Sequence, residues 1–145
     1  MAVKLVTTKE FLQQAIITHQ VVESRLEQIA QLQSLAKRTT TTITGVPSAG
    51  TSASSVIEER IGEVQEQSAL LAEELSRMVD ARNEVAEAIA RVENVDERTL
   101  LELRYLCRFS FREITKRMFL SIRKVFQLHN QALRSVSQNL QSRAY

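Results

Sequence analysis

The sequence predicts an all-α protein in which a long antiparallel coiled-coil helical hairpin precedes a set of shorter helices. Three observations lead there. Apolar residues recur at helical spacing from Phe11 to Ala36, a nearly strict heptad runs from Ile57 to Val92, and beyond Asn94 successive segments open on residues of helix-capping type. A length of 145 residues allows one domain or a small domain with an appendage, and a composition of 43% apolar and 25% charged residues is neither disordered nor collagenous nor membrane-like.

In the first helix, Thr7 and Glu10 have the spacing of a capping box. Phe11, Leu12, Ala15, Ile16, Val22, Leu26, Ile29, Leu32 and Ala36 form its apolar stripe. About 31 residues at ~1.5 Å each give a length of roughly 46 Å. His19 falls within the stripe, where a packed or interfacial histidine is expected rather than a metal ligand. The stretch TTTTITGVPSAGTSASS, residues 39–55, holds the only Pro and two of the three Gly and reads as a linker.

The second helix starts from another capping pair, Ser55 and Glu58, and presents Ile57, Ile61, Val64, Ser68, Leu71, Leu75, Met78, Arg82, Val85, Ile89 and Val92 at alternating spacings of four and three. Residues 54–93 carry ten acids against four bases, Arg82 of the seam included, which makes an anionic, solvated exterior. One helix cannot bury such a seam. The linker lets the first helix fold back onto it, and the same seam in another subunit offers a dimer. Arg82 within the seam has three readings: a register device, an ion pair with an acid of the first helix, or a snorkelling side chain. The hairpin is therefore assigned to residues 1–93.

Glu93-Asn94-Val95-Asp96 marks a change in both periodicity and charge, and a second domain is assigned to residues 94–145. Asn94 and Glu97 form a capping box for a helix reaching about Leu106, with Leu100, Leu101, Leu103 and Tyr105. Ser110 and Glu113 open a short helix whose Ile114 and Met118 face inward. After a break at Phe119-Leu120, Ser121 caps a last helix with Val125, Leu128, Ala132, Leu133 and Val136 on its inner face. Short helix, tight turn and longer helix follow helix-turn-helix grammar. His129 reads as a helical residue with a local hydrogen bond, and Cys107 as a small hydrophobe.

Charge divides along the same line. Residues 1–95 carry nine Lys and Arg against thirteen Asp and Glu, whereas residues 96–145 carry ten against four. Arg104, Arg108, Arg112, Lys116, Arg117, Arg123 and Lys124 face a single acid, Glu113, within twenty-one residues, which points to a polyanionic partner.

The segment Asp96 to Val136 resembles region 4 of sigma-70 factors, the module that reads the promoter −35 element. The resemblance rests on Leu103-Arg104-Tyr105, Ser110-Phe111, Glu113-Ile114, and Ser121 followed by Val125 and Ala132-Leu133. The chain as a whole, with its N-terminal helix, Thr-rich stretch, acidic heptad helix and His129 ahead of Ala132-Leu133, is similar to small phage-encoded sigma-like proteins. That likeness implies a phage or prophage setting in a bacterial cytoplasm, double-stranded DNA and host RNA polymerase as partners, and activation of late genes. Phe119 stands where the module has a turn glycine, so either the turn is built differently or Phe119 accepts strain. Phe126 makes the inner end of the supposed DNA face partly apolar.

With Val125, Leu128 and Ala132 inward, Ile122, Arg123, Lys124, Gln127 and Gln131 turn outward. Carried over from the module, Arg123, Gln127 and Gln131 are base readers and Ile122 a methyl contact; arginine pairs with guanine and glutamine with adenine through two hydrogen bonds each. Arg112, Lys116, Arg117, Lys124 and Arg134 are assigned to phosphates.

The lone cysteine excludes an internal disulfide or a multi-thiolate metal site and fits a reducing cytoplasm. No cofactor is expected, and no Gly-rich phosphate loop, nucleophilic triad or paired carboxylate motif suggests an enzyme. No signal peptide or membrane segment is expected either. Two rivals remain: an adaptor that docks its sigma-like part on RNA polymerase without reading bases, and a purely structural coiled coil.

Overall fold

The structure, a computed structural model, describes residues 2–43 and 50–143, and these are helical with short connections and no strand. The helices are α1 (Ala2–Ile43), α2 (Gly50–Ala90), α3 (Val95–Leu101), α4 (Phe111–Met118) and α5 (Ile122–Arg143), with a π-helical turn (Glu102–Leu106) following α3. No helix among the described residues is long and apolar enough to cross a membrane.

Both long helices exceed their expected lengths. α1 includes Thr7, and α2 includes Ser55, so neither residue is an N-cap. The Thr- and Ser-rich stretch gives its first residues to α1 and its last to α2, and 44–49 lie outside the described residues.

The chain divides into two compact units to which both long helices contribute: residues 1–18 with 78–145, and residues 19–77. In the first unit, Leu12, Ala15, Val85, Ala88, Ile89 and Val92 form a single core with Leu100, Leu101, Tyr105, Ile114, Val125, Ala132, Leu133 and Val136. Fourteen buried apolar side chains around one centre are the main stabilising term here. The carbonyls just beyond the end of α2 are satisfied from neighbouring elements. Arg98 donates to Val92 O at 3.1 Å and the Asn139 amide to Arg91 O at 3.3 Å.

Arg82 makes a contact that its place in the seam does not suggest: its guanidinium donates to Leu106 O at 2.9 Å, at the end of the π-turn. The helix reaches Leu106 as expected, but its last five residues are π-helical, with Cys107 N–H reaching back five residues to Glu102 O at 2.9 Å. This wider turn brings Tyr105 into the same core as Leu100 and Leu101. At the start of α3, Asn94 accepts from Glu97 N–H at 2.9 Å, but the Glu97 carboxylate accepts from Ser135 Oγ at 2.7 Å, joining α3 to α5 instead of closing a reciprocal box.

In the second unit Val22 and Ile29 are buried, while Val21, Leu26, Leu35, Val56, Ile61, Leu70 and Leu75 are exposed. Leu26 was expected inward; the adjacent Arg25 is turned toward α2 instead. Its guanidinium makes a two-pronged pair with Glu74 at 2.9 and 3.1 Å and also donates to Gln67. The Arg25 hydrogen bonds hold the Glu74 carboxyl below its ordinary pKa. Further along, Gln33 and Lys37 line a surface groove with Ile61, Val64 and Gln65, so partners fall on α2 as they rise on α1. The heptad seam of α2 is thereby split: Ile57, Val64 and Leu71 are half-buried, whereas Ile61, Ser68 and Leu75 stay in solvent. His19 bonds Glu23, one turn on, at 2.9 Å.

Candidate nucleic-acid interface

α4 is fixed at both ends by its own sequence. Ser110 Oγ accepts from Glu113 N–H at 3.2 Å and the Glu113 carboxylate accepts from Ser110 N–H at 2.8 Å, a complete capping box. At the other end Phe119 adopts the left-handed conformation, φ 56° and ψ 42°, and Leu120 N–H reaches Thr115 O at 3.2 Å. This is the six-to-one bond of a Schellman termination, with phenylalanine in the position that favours glycine. Phe119 therefore accepts the strain of a left-handed backbone. Arg108 (φ 62°), on the N-terminal side of α4, is the other non-glycine residue of positive φ among the described residues. Ser121 Oγ then accepts from Lys124 N–H at 3.2 Å and caps α5.

α5 separates its faces sharply. Val125, His129, Ala132, Leu133 and Val136 are buried and Leu128 half-buried. All nine residues assigned to DNA from the sequence are exposed: Ile122, Arg123, Gln127 and Gln131, and Arg112, Lys116, Arg117, Lys124 and Arg134. Arg123, Gln127 and Gln131 are spaced by four and lie along one ridge, with Ile122 and Phe126, each 46% exposed, beside it. Arg112, Lys116, Arg117, Arg123, Lys124 and Arg134 form no salt bridge among the described residues. The exposed surface is thus positively charged and uncompensated, except that Arg117 lies over the Phe109 ring at 4.0 Å.

Beneath this surface lies an aromatic and imidazole layer. Phe111 meets Phe126 edge-on at 5.1 Å and His129 at 5.0 Å, and the Arg104 guanidinium covers Phe111 at 4.3 Å while donating to Phe109 O at 3.1 Å. Arg104 Nε is buried without a hydrogen-bond partner. His129 is not the locally bonded residue expected. It is buried, and its Nε2 shares a 2.7 Å hydrogen bond with Tyr105 Oη of the π-turn, 24 residues away. Burial, with Lys9 and Arg104 nearby, pushes the His129 imidazole down to about 4, so it is neutral at physiological pH. Burial pushes the Tyr105 phenol up to about 12 against the opposing pull of Arg104. A neutral, hydrogen-bonded pair inside the core fixes α5 against the π-turn without placing a charge there.

Sequence reasoning found the outward ridge and missed its support. Arg104, Phe109 and Phe111 hold the surface from below, and the available signal was the alternation of basic and aromatic residues from Arg108 to Arg112. The chain matches no family model, no curated protein and no solved structure.

Proposed function

We propose that this protein is a sequence-specific DNA-binding regulator of transcription, in which α4, the Phe119 turn and α5 act as a sigma region 4-like helix-turn-helix. One observation carries the reading. The ridge Arg123, Gln127, Gln131 is exposed along a helix whose opposite face is locked in the core, and unpaired cations stand on both helices around it. An α-helix so displayed fits the major groove, with Arg123 and Gln127 near its N-terminus reaching base edges and Arg112, Lys116, Arg117, Lys124 and Arg134 gripping phosphates. By resemblance, the setting is a phage or prophage in a bacterial cytoplasm and the role activation of late genes with host RNA polymerase.

A single module of this size makes few base contacts, and the long helices supply a second copy. In this reading α1 and α2 form an antiparallel coiled-coil hairpin, and the exposed half of the α2 seam dimerises. Ile61 and Leu75 are each seven residues from Ser68, so antiparallel pairing about Ser68 sets Ile61 of each copy against Leu75 of the other. The flanking Gly62, Gln65, Ala69, Ala72 and Ser76 are uncharged.

Ile122 and Phe126 favour a second reading, in which this surface docks on RNA polymerase as an adaptor without reading bases. The double substitution R123A/Q127A separates the two. For a DNA reader, it abolishes preference for duplexes that the wild-type chain selects from a random pool and leaves salt-sensitive, non-selective binding. An adaptor retains its polymerase binding and its promoter selectivity unchanged. A wild-type chain with no salt-dependent affinity for duplex DNA refutes the first reading outright.

A further inference from the structure

The phenylalanine side chain at position 119 adds nothing to the fold on two counts. Phe119 holds a left-handed backbone that a glycine would hold without strain, and its side chain is 93% exposed, outside the hydrophobic core and the half-buried residues packed against it. Its neighbours define what the side chain meets. Lys116 and Arg117 precede it, Arg123 and Lys124 follow it, all four are exposed, and no acidic residue occurs from Ile114 to Arg143. An apolar ring displayed among unpaired cations fits a polyanion that also offers apolar surface between its charges. A DNA duplex does so, because deoxyribose faces lie between successive phosphates. Phe119 is in the turn, outside the α5 ridge that faces the bases, so its contact is with the backbone rim.

We propose that Phe119 is a DNA-binding residue, packing on deoxyribose at the groove edge while the cations on either side neutralise the adjoining phosphates. The inference rests on the duplex-binding reading above and adds a sequence-independent, uncharged contact to it.

The test uses the full chain, its F119G and F119N variants, and fluorescence anisotropy over a salt series. The probes are one duplex that the wild-type chain selects from a random pool and one unrelated duplex. Glycine and asparagine both tolerate the left-handed region, so the variants keep the thermal midpoint or raise it by a few degrees. Affinity falls about tenfold on both duplexes alike. The slope of log affinity against log salt is unchanged, because an apolar contact releases no counterion, whereas R117A lowers the slope by about one.

Unchanged affinity overturns the inference while leaving the parent reading standing. A changed slope in F119G also overturns it, since the cations would then have shifted and Phe119 would merely shape the turn. Loss confined to the selected duplex makes it a base contact and overturns the backbone assignment. Equal DNA affinity with lost capture of RNA polymerase places the ring on a protein and overturns it too. If the wild-type chain binds neither duplex, both readings fall together.

Discussion

The two units of this chain are built from the same helical material and reach opposite outcomes. In residues 1–18 with 78–145, the short helices and the adjoining parts of the long ones share one core of fourteen buried side chains. In residues 19–77, long helical stretches pair along one line, with Arg25, Gln67 and Glu74 occupying inward positions, and seven large apolar residues remain in solvent. A cluster closes on itself; a helix pair covers one side of each member and leaves the other open. The first unit also exposes Ile17, Val79 and Val95, and its other exposed large apolar residues, Phe119, Ile122 and Phe126, belong to the proposed DNA surface.

The contrast is sharpest for one substitution made in both places. Ile114→Ala removes a fully buried side chain from the closed core, where little can collapse into the void, and is expected to cost about 4 kcal/mol. Ile29→Ala, between two helices with solvent close by, is expected to cost about 2 kcal/mol. Urea unfolding of both variants measures the difference. Equal costs would show that residues 19–77 are enclosed as fully as the core, which only a covering partner provides.

Acid gives the next largest effect and acts on the core alone. His129 has a folded pKa near 4 against an ordinary value of 6.5, so the unfolded chain takes up a proton that the folded chain refuses. Its contribution is complete above pH 6.5, declines as pH falls, and is gone near pH 4, a loss of order 3 kcal/mol. Carboxylates titrate in part of the same window, so the comparison is with His129→Gln, whose stability falls less steeply from pH 6.5 to 4. Imidazole NMR shifts provide a direct check: the ring stays neutral down to about pH 4. A ring that titrates near 6.5 would mean that the Tyr105 pair is open to water.

What the sequence made legible follows from how local each signal is. The Ser110–Glu113 box and the Ser121 cap are decided by residues three apart, and both occur where their spacing places them. The outward ridge of α5 follows from helical periodicity and could be written down residue by residue. The π-turn, the Arg82–Leu106 bond and the Tyr105–His129 bond join residues 5, 24 and 24 positions apart, and no local pattern encodes them. The α2 heptad was legible as a seam, but periodicity does not say which flank of it a partner helix takes. Arg25 settles that within the chain by reaching Gln67 and Glu74 instead of leaving the inward place to Leu26. Phe119 was visible as a departure, and only backbone geometry reveals that it keeps the turn's left-handed conformation.

The smallest expected effect on the fold gives the sharpest test of the open side. Ile61 and Leu75 are 48% and 38% exposed, so I61Q/L75Q removes little buried surface from the chain itself, and helix propensity changes only slightly. In an isolated chain such a double variant stays within about 0.5 kcal/mol of wild type. If the exposed half-seam joins two copies, the same variant halves the mass measured by light scattering at micromolar concentration while the helical circular dichroism of each chain persists. It also weakens binding to a duplex carrying two half-sites far more than binding to one half-site, because the second contact is no longer intramolecular. A wild-type chain that is already monomeric, or a variant that keeps the wild-type mass, would remove the second copy from the proposed function. The specificity of the α5 ridge would then have to come from another protein bound beside it.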